Sequence, residues 1–205
     1  ESLSPGEITR IDTCWAVAAG LGFVDNIRAA DFQTRHLLLA LAAGEPHRVA
    51  RALAIEAGFQ ATGGGPARER ARFLFERARG LAERLQSPYA LALSSMITGI
   101  NAYYLGQWRT VYQAGSRAAR VLAEEFSGVP WELSTARLYE VYALFYLGDF
   151  QQHGRLTREY LRDALDRGNL FAATIFRSGL GNVAWLVTDQ VDEARRMVRE
   201  AAESW

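Results

Sequence analysis

Apolar side chains recur at three- and four-residue steps along almost the whole chain. In PARERARFLFERARGLAERLQ, Ala71, Leu74, Phe75, Ala78, Leu81, Ala82 and Leu85 share one stripe. Arg68, Arg72, Glu76, Arg79 and Glu83 mostly fill the opposite face, with Glu76 and Arg79 spaced to pair. That is the period of a helix with one buried side, and the two-residue alternation of a half-buried strand is nearly absent.

Punctuation residues cut this pattern into similar lengths. Pro5, Pro46, Pro88 and Pro130 stand where a helix can begin without losing a needed N–H. Gly44, Gly63 to Gly65, Gly106, Gly128, Gly148 and Gly168 stand where helices should stop. The spacing predicts ten helices, over residues 6–22, 27–43, 46–61, 66–86, 88–105, 107–126, 130–147, 149–167, 169–187 and 190–204. With such short connections, neighbours are expected to pack as antiparallel hairpins.

One phrase is written twice. Tyr-Tyr-Leu-Gly-Gln-Trp, around Gly106, returns as Phe-Tyr-Leu-Gly-Asp-Phe around Gly148, and a weaker copy puts Asp189 in the turn with Val191 behind it. Upstream, ALAAGEPHRVARALA offers a further helix–Gly–helix passage out of register. An apolar helix ending in Leu-Gly, followed by an aromatic wedge, reads as a repeated hinge rather than a duplicated reactive site. Fixed-period helix pairs predict an all-α, right-handed α-solenoid of about five antiparallel hairpins, occupying residues 1–205 as a single domain.

This arrangement resembles the tetratricopeptide repeat. Gly99 lies seven residues before the turn glycine Gly106, Trp108 and Phe150 supply the aromatic after the turn, and Ala118, Ala194 and Ala201 supply small residues on second helices. The period near 42 rather than 34, Val141 in a glycine position and His153 in an alanine position are departures, as in divergent long-helix relatives of bacterial regulatory proteins. The stretches IDTCWAVAAGLGFVDNIRAADFQTRHLLLALAAGEPHRVARALAIEA and WELSTARLYEVYALFYLGDF resemble the C-terminal region of large myxobacterial-type Ser/Thr protein kinases. That resemblance implies the sensory or scaffolding part of a signalling enzyme, with kinase and ATPase modules elsewhere in a longer polypeptide.

Composition narrows the chemistry. The 205 residues carry 23 basic and 23 acidic side chains, so no global field recruits nucleic acid or an anionic membrane. Every basic residue is Arg. A Walker loop, a protein-kinase strand and Schiff-base chemistry all need Lys, so none can be complete in this chain. The Gly-rich TGGGPARER accordingly reads as a loop, and the arginines of 66–86 are offset by Glu69, Glu76 and Glu83. Cys14 is alone in an apolar stretch and is expected to be buried and inert, which suits a reducing cytoplasm. His36, His47 and His153 lack metal-ligand spacing. No apolar run reaches membrane-span length, the N-terminus has no signal-peptide pattern, and Trp205 is expected to be an uncapped apolar end.

No catalytic set, metal set or cofactor motif emerges. The candidate binding residues are polar and aromatic groups on the least polar helices: Arg137, Tyr142 and Glu140 on 130–147, Asn101 and Tyr103 on 88–105, and Arg177 and Asn182 on 169–187. In a solenoid, first helices line the concave surface, where Tyr and Arg give binding energy to a partner. Equally, the aromatics could be interhelix packing, and Arg137 with Glu140 an internal i,i+3 pair. The expected function is a non-catalytic protein–protein interaction or regulatory module that binds a peptide, a partner domain of the same polypeptide, or a second copy. The alternative is a sensor holding a metabolite in the solenoid pocket.

Overall fold

The structure, a computed structural model, describes residues 3–22 and 24–204; Trp205 and the first two residues lie outside them. Among the described residues there are eleven α-helices and no strand. They are α1 (Pro5–Leu21), α2 (Asn26–Ala43), α3 (Pro46–Ala61), α4 (Arg68–Leu85), α5 (Pro88–Tyr104), α6 (Trp108–Glu125), α7 (Pro130–Leu147), α8 (Phe150–Asp166), α9 (Leu170–Arg177), α10 (Gly179–Leu186) and α11 (Val191–Glu203). The chain divides into two compact units, one ending at Ile97 and the other beginning at Thr98, so that α5 contributes to both.

In the first unit, consecutive helices pack in order, α1 on α2, α2 on α3 and α3 on α4. Ser4 opens α1 with a capping box, its Oγ accepting from the Glu7 N–H while the Glu7 carboxylate accepts from the Ser4 N–H. Glu45 opens α3 by accepting from the N–H groups of His47 and Arg48, both at 2.9 Å. Ala50, Ala52, Ala54 and Ala57 are buried, and these small side chains let α3 lie closely between α2 and α4.

In the second unit α6 packs on α7 and α7 on α8, while α8 meets both α9 and α10. The turns at the repeated phrase have one geometry. Gly106 (φ +69°) and Gly148 (φ +75°) close α5 and α7 in the left-handed region, and Asp189 (φ +57°) does so after α10. In each, the residue just past the turn donates back to a carbonyl five residues earlier: Gln107 to Ala102, Asp149 to Leu144 and Gln190 to Trp185, all at 2.9–3.0 Å. Ring contacts repeat too, with Tyr103–Trp108 centroids 5.5 Å apart and Phe145–Phe150 centroids 6.0 Å apart.

One predicted element is corrected. Residues 169–187 do not form one helix, because Ser178 is extended (φ −124°, ψ 179°) and separates α9 from α10. A Cβ on Gly181 would lie 2.8 Å from the carbonyl oxygens of Ile175 and Phe176, so α10 folds onto the end of α9 at a distance only glycine permits. The Asn182 amide donates to the Arg177 carbonyl at 2.9 Å and so satisfies an acceptor that the break leaves open.

Candidate functional site

The hinge at Gly106 turns its flanking aromatics into one cluster with α7. Tyr103 is the hub, with ring centroids at 5.3–6.2 Å from Tyr104, Trp108, Tyr139, Tyr142 and Tyr146. Most of these contacts are edge-to-face, the arrangement that ring quadrupoles favour. Trp108 instead stacks on Tyr146, 4.1 Å apart and 12° from parallel. Beneath the rings lie Ala102, Val111 and Ala143, all buried, and the small Ala143 leaves room for the larger rings around it.

The outer edge of the cluster faces solvent. Tyr104 is 51% exposed and Tyr146 43%, and Leu105 and Leu147 beside them are exposed as well. Burial, then a hydrogen bond with Tyr146, pushes Tyr103 up to about 12, and burial followed by the influence of Tyr104 raises Tyr139 as well. Arginines lie over Phe32, Trp15, Phe73, Tyr160 and Trp185, whereas among the described residues none lies over the rings of this cluster. The patch is therefore an uncharged aromatic platform with hydroxyls, suited to apolar contact combined with hydrogen bonding.

The other sequence-predicted residues divide differently. Arg137 and Glu140, candidates for a binding groove with an internal i,i+3 pair as the rival reading, each reach α8. Arg137 bonds Asp163 at 2.5 Å and lies 4.5 Å over the Tyr160 ring, and the Tyr160 hydroxyl donates to Glu140 at 2.6 Å. Burial raises the Glu140 carboxyl despite hydrogen bonds from Tyr160 and Ser116. At Asp163 the opposing trend wins: burial would raise it, but bonds from Arg137 and Arg167 hold it low. Arg177 bonds Glu200 at 3.0 Å, and Asn182 also donates to the Ala194 carbonyl, so both join α11 to its neighbours. Tyr142 is half-buried, its hydroxyl 3.9 Å from where a Gly179 Cβ would stand. Asn101 has a buried Oδ1 with no hydrogen-bond partner among the described residues. Of the seven residues, Tyr103 and Tyr142 thus belong to the aromatic cluster, while Arg137, Glu140, Arg177 and Asn182 are engaged between helices.

Trp108, which the sequence marks as a hinge wedge, proves to be half of the stacked pair. Its signal was its place just after the turn, but nothing local connects it with Tyr146. Of the three histidines, His47 is exposed and the other two are interior groups. His36 is fully buried, and its Nδ1 is 3.1 Å from the side-chain Oε1 of Gln33. His153 is also fully buried, with Nε2–H donating to the Leu180 carbonyl. Cys14 is half-buried. Near it, Asp12 bonds Arg48 at 2.7 Å and Arg51 at 2.5 Å; burial works against the Asp12 charge, but those two arginines hold its carboxyl below the ordinary range. Among the described residues no cluster of three His, Cys, Asp or Glu could hold a metal, and no helix is long and apolar enough to cross a membrane. No protein-family model matches this chain, and no curated protein matches it either.

Proposed function

We propose that this chain is a non-catalytic interaction module, a divergent tetratricopeptide-like array that binds a peptide or partner domain on the aromatic platform of α5, α6 and α7. The observation that carries the reading is the Tyr103-centred cluster, with Tyr104 and Tyr146 left open to solvent beside Leu105 and Leu147. Aromatic groups fixed by packing lose little freedom on binding and supply large contact area, which is why they concentrate binding energy at interfaces. The like geometry of the turns at Gly106, Gly148 and Asp189 supports the repeat reading. The resemblance to kinase C-terminal regions would make the module the regulatory or scaffolding part of a bacterial signalling protein, acting in the cytoplasm.

Affinity capture from native lysate tests this, with wild type beside Tyr104→Ala/Tyr146→Ala of unchanged helicity. A partner held by wild type and lost by the variant is the expected result. Partners retained equally by both would put binding on another face. A metabolite that raises the melting temperature of the isolated chain, with no captured protein, would favour the sensor alternative.

A further inference from the structure

The repeated phrase duplicates more than a hinge. It places Tyr104 and Leu105 around the end of α5, and Tyr146 and Leu147 at the equivalent positions of α7. All four are exposed, by 39–51%. Their helices are neighbours, with the Tyr103 and Tyr139 rings 5.3 Å apart between them. The same apolar pair is therefore presented twice, one helix spacing apart, which is about 8–10 Å.

The hydroxyls of the platform are paired. Tyr103 bonds Tyr146, and Tyr139 bonds Tyr104. In each bond the inner phenol is the one whose proton is held, so it donates and the outer oxygen accepts. The hydroxyl hydrogens of Tyr104 and Tyr146 are then available to an acceptor in front of the platform. None of these side chains is a carboxylate or a guanidinium. The exposed residues that follow Trp108 and Gly148, Arg109 and Asp149, have opposite charges. An occupant must therefore offer flat apolar groups at the helix spacing and carbonyl acceptors, with no charge.

Resting on the platform proposed above, we infer that its occupant is a proline-rich segment of a partner protein in the polyproline II conformation. Such a helix turns in three residues of about 3.1 Å rise, so prolines recur on one side about every 9 Å, matching the helix spacing. It has no internal hydrogen bonds and proline has no N–H, so its carbonyls can meet Tyr104 and Tyr146 without stranding a donor. Its stiffness, set against rings already fixed by packing, leaves little freedom to lose on binding. The other ways a surface takes a peptide need different parts. Strand addition needs a strand edge, and among the described residues there is no strand. An acidic or phosphorylated segment needs clustered arginines. An amphipathic helix needs an apolar groove several turns long, where this face offers two short Tyr–Leu pairs.

Calorimetric titration of the intact chain with blocked decaproline tests it. Decaproline should bind at least about ten-fold more tightly than a blocked Gly-Ser decamer, with little change between about 0.05 and 0.5 M salt. Tyr104→Phe/Tyr146→Phe, which keeps both rings and removes the outward hydroxyls, should weaken it about ten-fold. Equal binding of the two peptides, no binding of decaproline, or an undiminished phenylalanine variant would overturn the inference. So would tighter binding of an arginine-rich decamer that salt weakens, since the occupant would then be a cation over the rings. If decaproline fails while Tyr104→Ala/Tyr146→Ala still loses a captured partner, the proline-rich occupant falls and the platform stands. If that variant also keeps the partner, the platform falls with it.

Discussion

Trp108 and Tyr146 stack face to face, 4.1 Å apart, although one opens α6 and the other stands in the last turn of α7. The hinge at Gly106 points Trp108 across the helix pair, and Tyr103 locks the stack from the side. The pair thus links the fold of the hinge to the surface it presents. Tyr146→Ala should lower stability by about 1–2 kcal/mol through lost ring contacts. It should also shift Trp108 toward a wetter environment, read as a red shift of indole emission on denaturation-controlled fluorescence. Unchanged emission would mean that the stack does not persist in solution.

Glycines should separate by what surrounds them. Gly181→Ala forces a Cβ to within 2.8 Å of two carbonyl oxygens that cannot swing aside, and should cost about 3 kcal/mol or more. Gly80, inside α4, has nothing within 4 Å of its missing Cβ, so Gly80→Ala should stabilise by about 0.5–1 kcal/mol. Urea unfolding of the two variants checks both signs.

Arg137 holds α7 to α8. Its loss leaves Asp163, among the described residues, with the exposed Arg167 alone and removes the cation over Tyr160, so Arg137→Ala should destabilise by about 2 kcal/mol. A double-mutant cycle with Asp163→Ala should return a coupling of about 1 kcal/mol. Additive effects would show that the two side chains act independently.

His36 should make the chain acid-sensitive before its carboxylates titrate. Burial, then the charge of Arg51, takes its folded pKa from 6.5 to about 3, so native His36 stays neutral where the unfolded chain takes up a proton. Gln33, Trp15, Asp12, Arg48 and Arg51 face or influence the ring. The neutral form is common to both states above pH 6.5, and stability is lost as pH falls from there toward 3. The slope is up to about 1.4 kcal/mol per pH unit, or about 2 kcal/mol by pH 5. His153, also lowered by burial, adds in the same direction. Unfolding curves at pH 7.5 and 5 measure the loss, and a His36 ring resonance titrating near 6.5 would refute it.

The elements most legible in the sequence are those fixed by local chemistry. Helix stripes such as Ala71 to Leu85 and the left-handed turns at Gly106 and Gly148 depend on residues within a few positions of one another. Ser178 shows the limit. The break it makes is enforced by Gly181 closing on Ile175 and Phe176, a contact set by how α10 folds back. Arg137 could be singled out as a polar group on an apolar helix, but its partner Asp163 is 26 residues away, and no spacing rule joins them. Tyr103 and Tyr142 were legible as candidates, whereas the stack of Trp108 on Tyr146 depends on the turn and on the packing of α6 against α7.

The most direct measurement places a photo-cross-linking residue at position 146 and, in a second chain, at exposed position 155 on α8. The account predicts a discrete partner cross-linked from 146 and absent from 155. The same products from both positions, or none from 146 while a partner still co-purifies, would contradict binding on the aromatic platform.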